Sequence, residues 1–443
     1  MPLLPYVYGL AMKAFSPTIT VGRWLSFVFG LLSILTVLST FRTDKKAAVV
    51  SGLLLSLNLS FVFDTTIFKT QALTVFLTAL SVSFLSPHKN RPLLGLFFLN
   101  LSVLTRLSML PALMLSWIYV LVTNRDRLKR YLLIATANVT GFVLLLVVLN
   151  QYAAGRFLFG IYTFHDAYFS QAEWSVQTLI RFLVAVSENQ CVITIATVVT
   201  GTITCVKTVK LSYRDRPDKN HLFPVFIFLC WFTTTVVHAT RIVPYATYQT
   251  SNIIFAAATI APVFGRVGNG APGRTRIAFL TFILLLLMSM PFQEYPVRLD
   301  GDSTIEQYRA AVHRIHTLRS LGARTLLTFN PELAASSGLR LLPGYEMGTF
   351  SYFSHFDENA SATLKVKNER GFLQDIERQR ADVLALTGEN IVLMLSEGDQ
   401  IRAKRLFTWL QNGYRIENRI RNFGQYSDTL YIYRKKTEHT NLQ

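Results

Sequence analysis

The 443-residue chain is short of acid: 26 Asp and Glu stand against 44 Lys and Arg, and only 16% of its residues are charged. It has three cysteines, Cys191, Cys205 and Cys230, all inside apolar runs. Thiols so placed act as small apolar side chains, and their spacing gives neither a disulfide framework nor a metal site. A phosphate loop is also missing, because the Gly-rich stretch from Gly265 to Gly273 lacks Gly-Lys-Ser/Thr and lies in a basic linker. The first 20 residues contain Pro2, Pro5, Lys13 and Pro17 but no basic start followed by an apolar run, so no cleavable signal peptide is predicted. Internal repeats and low-complexity tracts are likewise absent.

Apolar length is what the sequence has in abundance. It is 51% hydrophobic, with a mean hydropathy of +0.34. A soluble domain of this size cannot hide so much apolar surface, whereas lipid can, at about 20 apolar residues per span. Segments of that kind are 24–41, 47–63, 70–86, 107–123, 131–150, 189–206, 222–240, 247–265 and 277–291, with a shorter one at 92–105. The prediction is a polytopic α-helical membrane protein of about ten spans over residues 1–291.

The net charge of +18 suggests a polyanion partner until it is divided along the chain. Residues 292–443 carry 20 Lys/Arg against 18 Asp/Glu, so the excess lies in the membrane part, which has 24 basic and 8 acidic residues. Those bases alternate with the spans. Loops 42–46, 87–91, 124–130, 207–221 and 266–276 hold 17 of the 24. Lys and Arg stay on the cytoplasmic side during insertion, so these loops face inward. With ten spans, the N-terminus and the C-terminal domain then lie outside the cytoplasm of a bacterial inner membrane. The bases record topology and imply no nucleic-acid partner.

Residues 1–20 are too short and proline-interrupted to span; an amphipathic helix lying in the outer interface is predicted. The long external loop 151–188 is aromatic, with Tyr152, Phe157, Phe159, Tyr162, Phe164, Tyr168, Phe169 and Trp174. An interfacial aromatic belt and a groove for a lipid-linked ligand both account for it. Beyond residue 291 the pattern alternates. Helices are predicted at 303–321, 368–380 and 398–412, and strands at 324–329 and 391–395, with an edge strand at 429–434. This is the alternation of a small α/β domain over 292–443.

Several stretches are similar to a known pattern. Pro2-Leu-Leu-Pro-Tyr-Val-Tyr-Gly-Leu and Gly22-Arg-Trp-Leu-Ser-Phe-Val-Phe-Gly-Leu-Leu resemble an external helix and the following span of bacterial C-type membrane glycosyltransferases. These are relatives of protein O-mannosyltransferases and lipid A aminoarabinose transferases. Thr70-Gln-Ala-Leu-Thr-Val-Phe-Leu, Leu104-Thr-Arg-Leu-Ser-Met-Leu-Pro-Ala-Leu, Pro343-Gly-Tyr-Glu-Met-Gly and the closing Tyr431-Ile-Tyr-Arg resemble the same superfamily. The resemblance implies sugar transfer from a polyprenyl-phosphate donor on the outer face, to a glycan, lipid or protein acceptor. It also implies a first span and an Asp-bearing external loop ahead of the segment that begins at Met1, and an acidic or aromatic residue where Gln71 stands. The expectation is therefore a chain shortened at its start or a non-catalytic relative serving as scaffold or regulator. A transporter or flippase for lipid-linked saccharide is a third reading, without the repeats and matched broken spans usual in transporters.

Transfer to a hydroxyl calls for a carboxylate to take its proton and cations to hold the departing phosphate. Of the eight acids in the membrane part, Asp44, Asp126, Asp215 and Asp218 lie in inward loops. Asp64 and Asp166 are the candidate bases, with Glu173 and Glu188 reading as solvent-facing. Asp64 also reads, and more plainly, as a helix-end carboxylate paired with Lys69, and Asp166, beside His165, as a solvated loop residue. The external cations are Arg23, Lys69, Arg106, Arg156, Arg181 and Arg241, of which Lys69, Arg106 and Arg241, with Tyr245, are the candidate phosphate ligands. Snorkelling to headgroups is the plainer account of each. His313 and His316 lie one helical turn apart but lack partners at ligand spacing, so no metal or other cofactor is expected.

Overall fold

A computed structural model describes residues 3–15, 18–67, 69–153, 156–160, 175–212, 218–239, 246–267, 281, 284–285, 304–388, 390–391, 400–424 and 428–436. They fall into two compact units, one made of Met1–Ser16, Thr20–Val147 and Phe169–Tyr295, the other of Pro17–Ile19, Val148–Tyr168 and Pro296–Gln443.

The first unit is helical. Among the described residues, four helices are long and apolar enough to cross a membrane: Ile19–Thr40, Arg125–Tyr152, Gln190–Leu211 and Lys219–Ala239. A fifth crossing results if the helices Lys45–Ser56 and Leu59–Thr66, bent by 64° at their break, count as one. Thr70–Leu85, Pro92–Thr105, Leu107–Thr123 and Gln249–Phe264 coincide with predicted segments but are shorter. At about 1.5 Å per residue, the 16 residues of Thr70–Leu85 reach roughly 24 Å, short of a hydrocarbon core of about 30 Å. Apolar content does not register helix length, and these helices leave the predicted count of about ten spans unconfirmed. The predicted segment 277–291 lies outside the described residues except for 281 and 284–285. The predicted start of a span at 189 matches a break, since Gln190 is non-helical within Val176–Ser212 (φ −145°, ψ 23°).

The unit's core is one cluster joining Val50, Leu54, Phe61, Val75, Leu99, Met109, Val120, Ile227, Ile254 and Phe255. A helix lies over Leu3–Ala14, within the predicted 1–20 segment, and one of its faces packs on the unit. Its Tyr8 is buried, donates or accepts with the Ser26 hydroxyl at 2.8 Å and packs with Leu73 and Leu77. At one end of the unit the basic loops meet. Thr43 lies 3.3 Å from His88, and Lys219 Nζ donates to Asn90 Oδ1 (3.2 Å) and Asn124 Oδ1 (3.0 Å). Loops placed on one side by their charge are therefore neighbours.

The second unit is an α/β domain around a five-stranded sheet of order β2-β1-β3-β5-β4. Its strands are β1 (Thr325–Thr328), β2 (Arg340–Leu341), β3 (Val383–Thr387), β4 (Tyr414–Phe423) and β5 (Asp428–Lys435). β1 runs parallel to β2 and β3, while β5 is antiparallel to β3 and β4. Successive side chains leave opposite faces of a strand, and both faces are covered here. Leu327, Leu384 and Leu386 pack with Phe372, Ile376, Leu406 and Leu410 of helices Glu369–Glu377 and Gln400–Gly413. Leu326, Val383, Ala385 and Ile432 pack with Ala311, Ile315 and Leu333 of helices Thr304–Ser320 and Pro331–Ser337. Phe159, from the aromatic loop, packs on Phe353 and Phe356 at 5.6 and 6.1 Å between ring centres.

Two strand predictions change. The 429–434 strand lies inside the sheet rather than at its edge, and β4, read as no strand, takes the edge. Its exposed Arg415, Glu417, Arg419 and Arg421 and its two register breaks mark it as an edge kept from pairing further. The strand predicted at 391–395 is replaced by β3 upstream; residue 391 is helical, and 392–395 lie outside the described residues.

Candidate functional site

Asp64 occupies the second half of the bent pair. The first half is started by the Asp44 carboxylate, which accepts from the Lys46 and Ala47 amides, and it ends at Leu57. Asn58 restarts the helix by accepting from the Phe61 amide at 2.7 Å, with its own side chain fully buried. The restarted turn directs Asp64 inward, where it is wholly enclosed. Gly30 of the neighbouring helix makes room, since a Cβ there would lie 2.7 Å from Thr65 Cβ.

The partner of Asp64 comes from a seven-residue 3₁₀ turn, Ala246–Asn252. Such a stretch is long for 3₁₀ geometry, which rarely runs past three or four residues and often marks a functional break in a helix. The Thr250 hydroxyl donates to Asp64 Oδ2 at 2.5 Å, while Oδ1 is buried without a hydrogen-bond partner among the described residues. Beside it a polar cluster closes on itself. Asn252 Nδ2 donates to Gln249 Oε1 (3.0 Å) and Thr235 Oγ1 (3.3 Å) and lies 3.5 Å from His238 Nδ1. Gln249, Thr250, Asn252 and His238 are all at most 3% exposed. Buried polar side chains inside an apolar bundle are costly and mark sites of function.

Among the described residues, Lys69 and Arg106 are cations near enough for their charge to act on Asp64. Lys69 is exposed at the N-terminus of Thr70–Leu85, and Arg106 is half-buried in the extended break between Pro92–Thr105 and the turn Leu107–Met109. The simple Asp64–Lys69 pairing is thus replaced by a hydroxyl–carboxylate bond with two cations around it. Arg23 lies near as well, its Nε donating to the Thr66 carbonyl at 3.2 Å. Gln71 is buried and accepts from the Thr70 hydroxyl. Asp166, Arg241 and Tyr245 lie outside the described residues, as do the side chains of Glu173 and Glu188.

Asp64 has no exposed surface, so an acceptor hydroxyl does not reach it in this conformation. Sequence reading missed Thr250, Gln249, Asn252 and His238. A signal was there: Gln249-Thr-Ser-Asn252 is an unbroken polar run inside the predicted span 247–265. Among the described residues no group of three or more His, Cys, Asp or Glu is arranged to hold a metal ion, and His313 and His316 are exposed on their helix.

No protein-family model matches the chain, and no curated protein matches it in sequence. Its fold does match solved structures. The crystal structure of ArnT from Cupriavidus metallidurans bound to undecaprenyl phosphate superposes with a TM-score of 0.57, covering 97% of this chain and 87% of that one at 12% identity. The same protein in the apo state gives a TM-score of 0.56 with the same coverage and identity. The likeness in fold runs nearly end to end: the chain has the fold of ArnT.

Proposed function

We propose that the protein is a membrane glycosyltransferase that moves a sugar from a polyprenyl-phosphate donor to an acceptor outside the cytoplasm. The observation that carries this reading is the fold match to ArnT over 97% of the chain, in a structure holding undecaprenyl phosphate. The cations flanking Asp64 add to it, since Lys69 and Arg106 stand at breaks between apolar helices, where a lipid phosphate would lie. In this reading Lys69 and Arg106, with Arg241 and Tyr245, hold the donor phosphate; Arg suits that role through two parallel bonds.

The acceptor hydroxyl oxygen attacks the anomeric carbon as the bond from that carbon to the phosphate oxygen breaks, with inversion. The electron pair leaves with polyprenyl phosphate, and the hydroxyl proton passes to a carboxylate, for which Asp166 is the proposal. In this reading the basic loops face inward, so the domain 292–443 and the external cations lie on the non-cytoplasmic side of a bacterial inner membrane.

The test is transfer of labelled sugar from undecaprenyl-phosphate-linked donor in proteoliposomes. Arg106→Ala and Arg241→Ala should each lower the rate by about 10- to 100-fold, the value of a hydrogen bond to a charged group. Donor that is left intact, or that is flipped between leaflets without being consumed, would rule the reading out.

A further inference from the structure

The α/β domain holds a cleft that the proposed chemistry does not use. It measures about 590 Å³ and lies along helices Glu369–Glu377 and Gln400–Gly413. Helical spacing builds it. Arg370, Leu373, Gln374 and Glu377 share one face of the first helix, turned away from the buried Phe372 and Ile376, and Glu369 stands at the helix's first turn. Arg405 and Trp409, one turn apart on the second helix, complete that wall, and Phe356 closes the end. Trp409 is half-buried with part of its indole left to the cleft, and Phe356 is held by stacking on Phe353 at 4.6 Å and 7°.

The chemistry of this lining is specific. A flat aromatic face offers an apolar platform, which suits the C–H face of a pyranose ring. Sugar hydroxyls both donate and accept, so they need side chains of both kinds around that platform. Gln374 supplies both, Glu369 and Glu377 accept, and Arg405 donates. A concave site with few polar groups around an aromatic surface is the usual form of a small-ligand site. The charge balance argues against an anion. The lining sets Glu369 and Glu377 against Arg370 and Arg405, so it carries no net positive charge to draw an anion. We infer that this cleft binds an uncharged saccharide chain. Its use as the grip on a glycan acceptor rests on the proposed transferase reading; the binding itself does not.

The experiment is calorimetric titration of the full-length protein in lipid nanodiscs, without donor, so that it reads the cleft whether or not transfer occurs. The probes are neutral hexasaccharides of glucose, mannose, galactose and N-acetylglucosamine, with inorganic phosphate and glycerol 1-phosphate as anionic counter-probes. At least one hexasaccharide should give saturable one-to-one binding. Trp409→Ala should weaken it by roughly tenfold or more and Trp409→Phe should restore most of it, as expected of an aromatic platform. Glu377→Gln, on an exposed side chain whose loss leaves the packing intact, should weaken it by about three- to tenfold through one altered hydrogen bond. No binding by any hexasaccharide, binding unchanged in both Trp409→Ala and Glu377→Gln, or saturable binding of the anions in place of the sugars would overturn the inference.

Discussion

Asp382 shows what one carboxylate does in this chain. Its Oδ2 accepts from the Arg324 amide (2.7 Å), the Thr325 amide (2.9 Å) and the Thr325 hydroxyl (2.9 Å), while its own amide donates to that hydroxyl. It thereby fixes where β1 begins beside β3. Burial pushes its pKa up, but the amides of Arg324 and Thr325, the Thr325 hydroxyl and the nearby Lys435 together hold it below the ordinary carboxylate value. Because the folded value is the depressed one, its stabilisation is complete above the unfolded carboxylate pKa, about 4. It is lost as pH falls through the lower folded value. In thermal unfolding scans from pH 7 to pH 2, Asp382→Asn should therefore show a weaker loss of Tm below about pH 4 than the parent. Equal acid sensitivity of the two proteins would contradict this. A second prediction concerns Thr250. Replacing its hydroxyl in Thr250→Val should cost about 1–3 kcal/mol, because Asp64 then stays buried with no donor among the described residues. The double variant Thr250→Val/Asp64→Leu should recover part of that loss, since the stranded acceptor is gone. Strictly additive losses in detergent-solubilised thermal scans would show that the pair is not coupled. Asp64 itself was legible as an ionisable group at membrane depth, but its partner was not, because Thr250 is 186 residues away and no local pattern links them.

At the scale of elements, apolar runs were legible and their ends were not. Nine predicted segments coincide with described helices, because a run of Leu, Val, Ile and Phe has few ways to satisfy its backbone in lipid other than a helix. What hydropathy does not register is a break inside such a run. Asn58 restarts one helix, Arg106 divides two, and Gln190 kinks a third. Each break is a polar side chain in an apolar stretch, and the first two border the Asp64 site. In the sheet, β4 escaped notice because Tyr-Arg-Ile-Glu-Asn-Arg-Ile-Arg-Asn-Phe has the charge of a loop, its alternation being visible only once one face is known to be solvated. The close approach of the bent pair to Ile19–Thr40 yields a third prediction. Gly30→Ala would place a methyl 2.7 Å from Thr65 Cβ, on a β-branched side chain whose hydroxyl is tied to the Phe61 carbonyl at 2.7 Å. Neither side yields cheaply, so the substitution should destabilise by about 1–3 kcal/mol as overpacking does. It should also lower transfer activity through displacement of Asp64. A Gly30→Ala protein with parental Tm would mean the helices separate freely.

For the whole molecule, charge and fold agree on one arrangement. The basic loops 42–46, 87–91, 124–130 and 207–221 were assigned to a common side from Lys/Arg counts alone, and described residues from each of them form hydrogen bonds at one end of the helical unit. Lys69 and Arg106, assigned to the other side, gather instead around Asp64. Thr43, His88, Asn90, Asn124 and Lys219 belong to four separate loops, far apart in sequence, that meet through these hydrogen bonds. The consequence for topology is testable one residue at a time. In a variant with Cys191, Cys205 and Cys230 replaced by Ala, single cysteines at Thr43 or His88 should react with a membrane-impermeant maleimide only after the cells are permeabilised. Cysteines at the exposed Lys69, or at the exposed Leu321 of the α/β domain, should react in intact cells whose outer barrier alone is opened. Labelling of position 321 in the same compartment as position 43 would put the α/β domain in the cytoplasm, away from Lys69, and would remove the proposed external acceptor side with it.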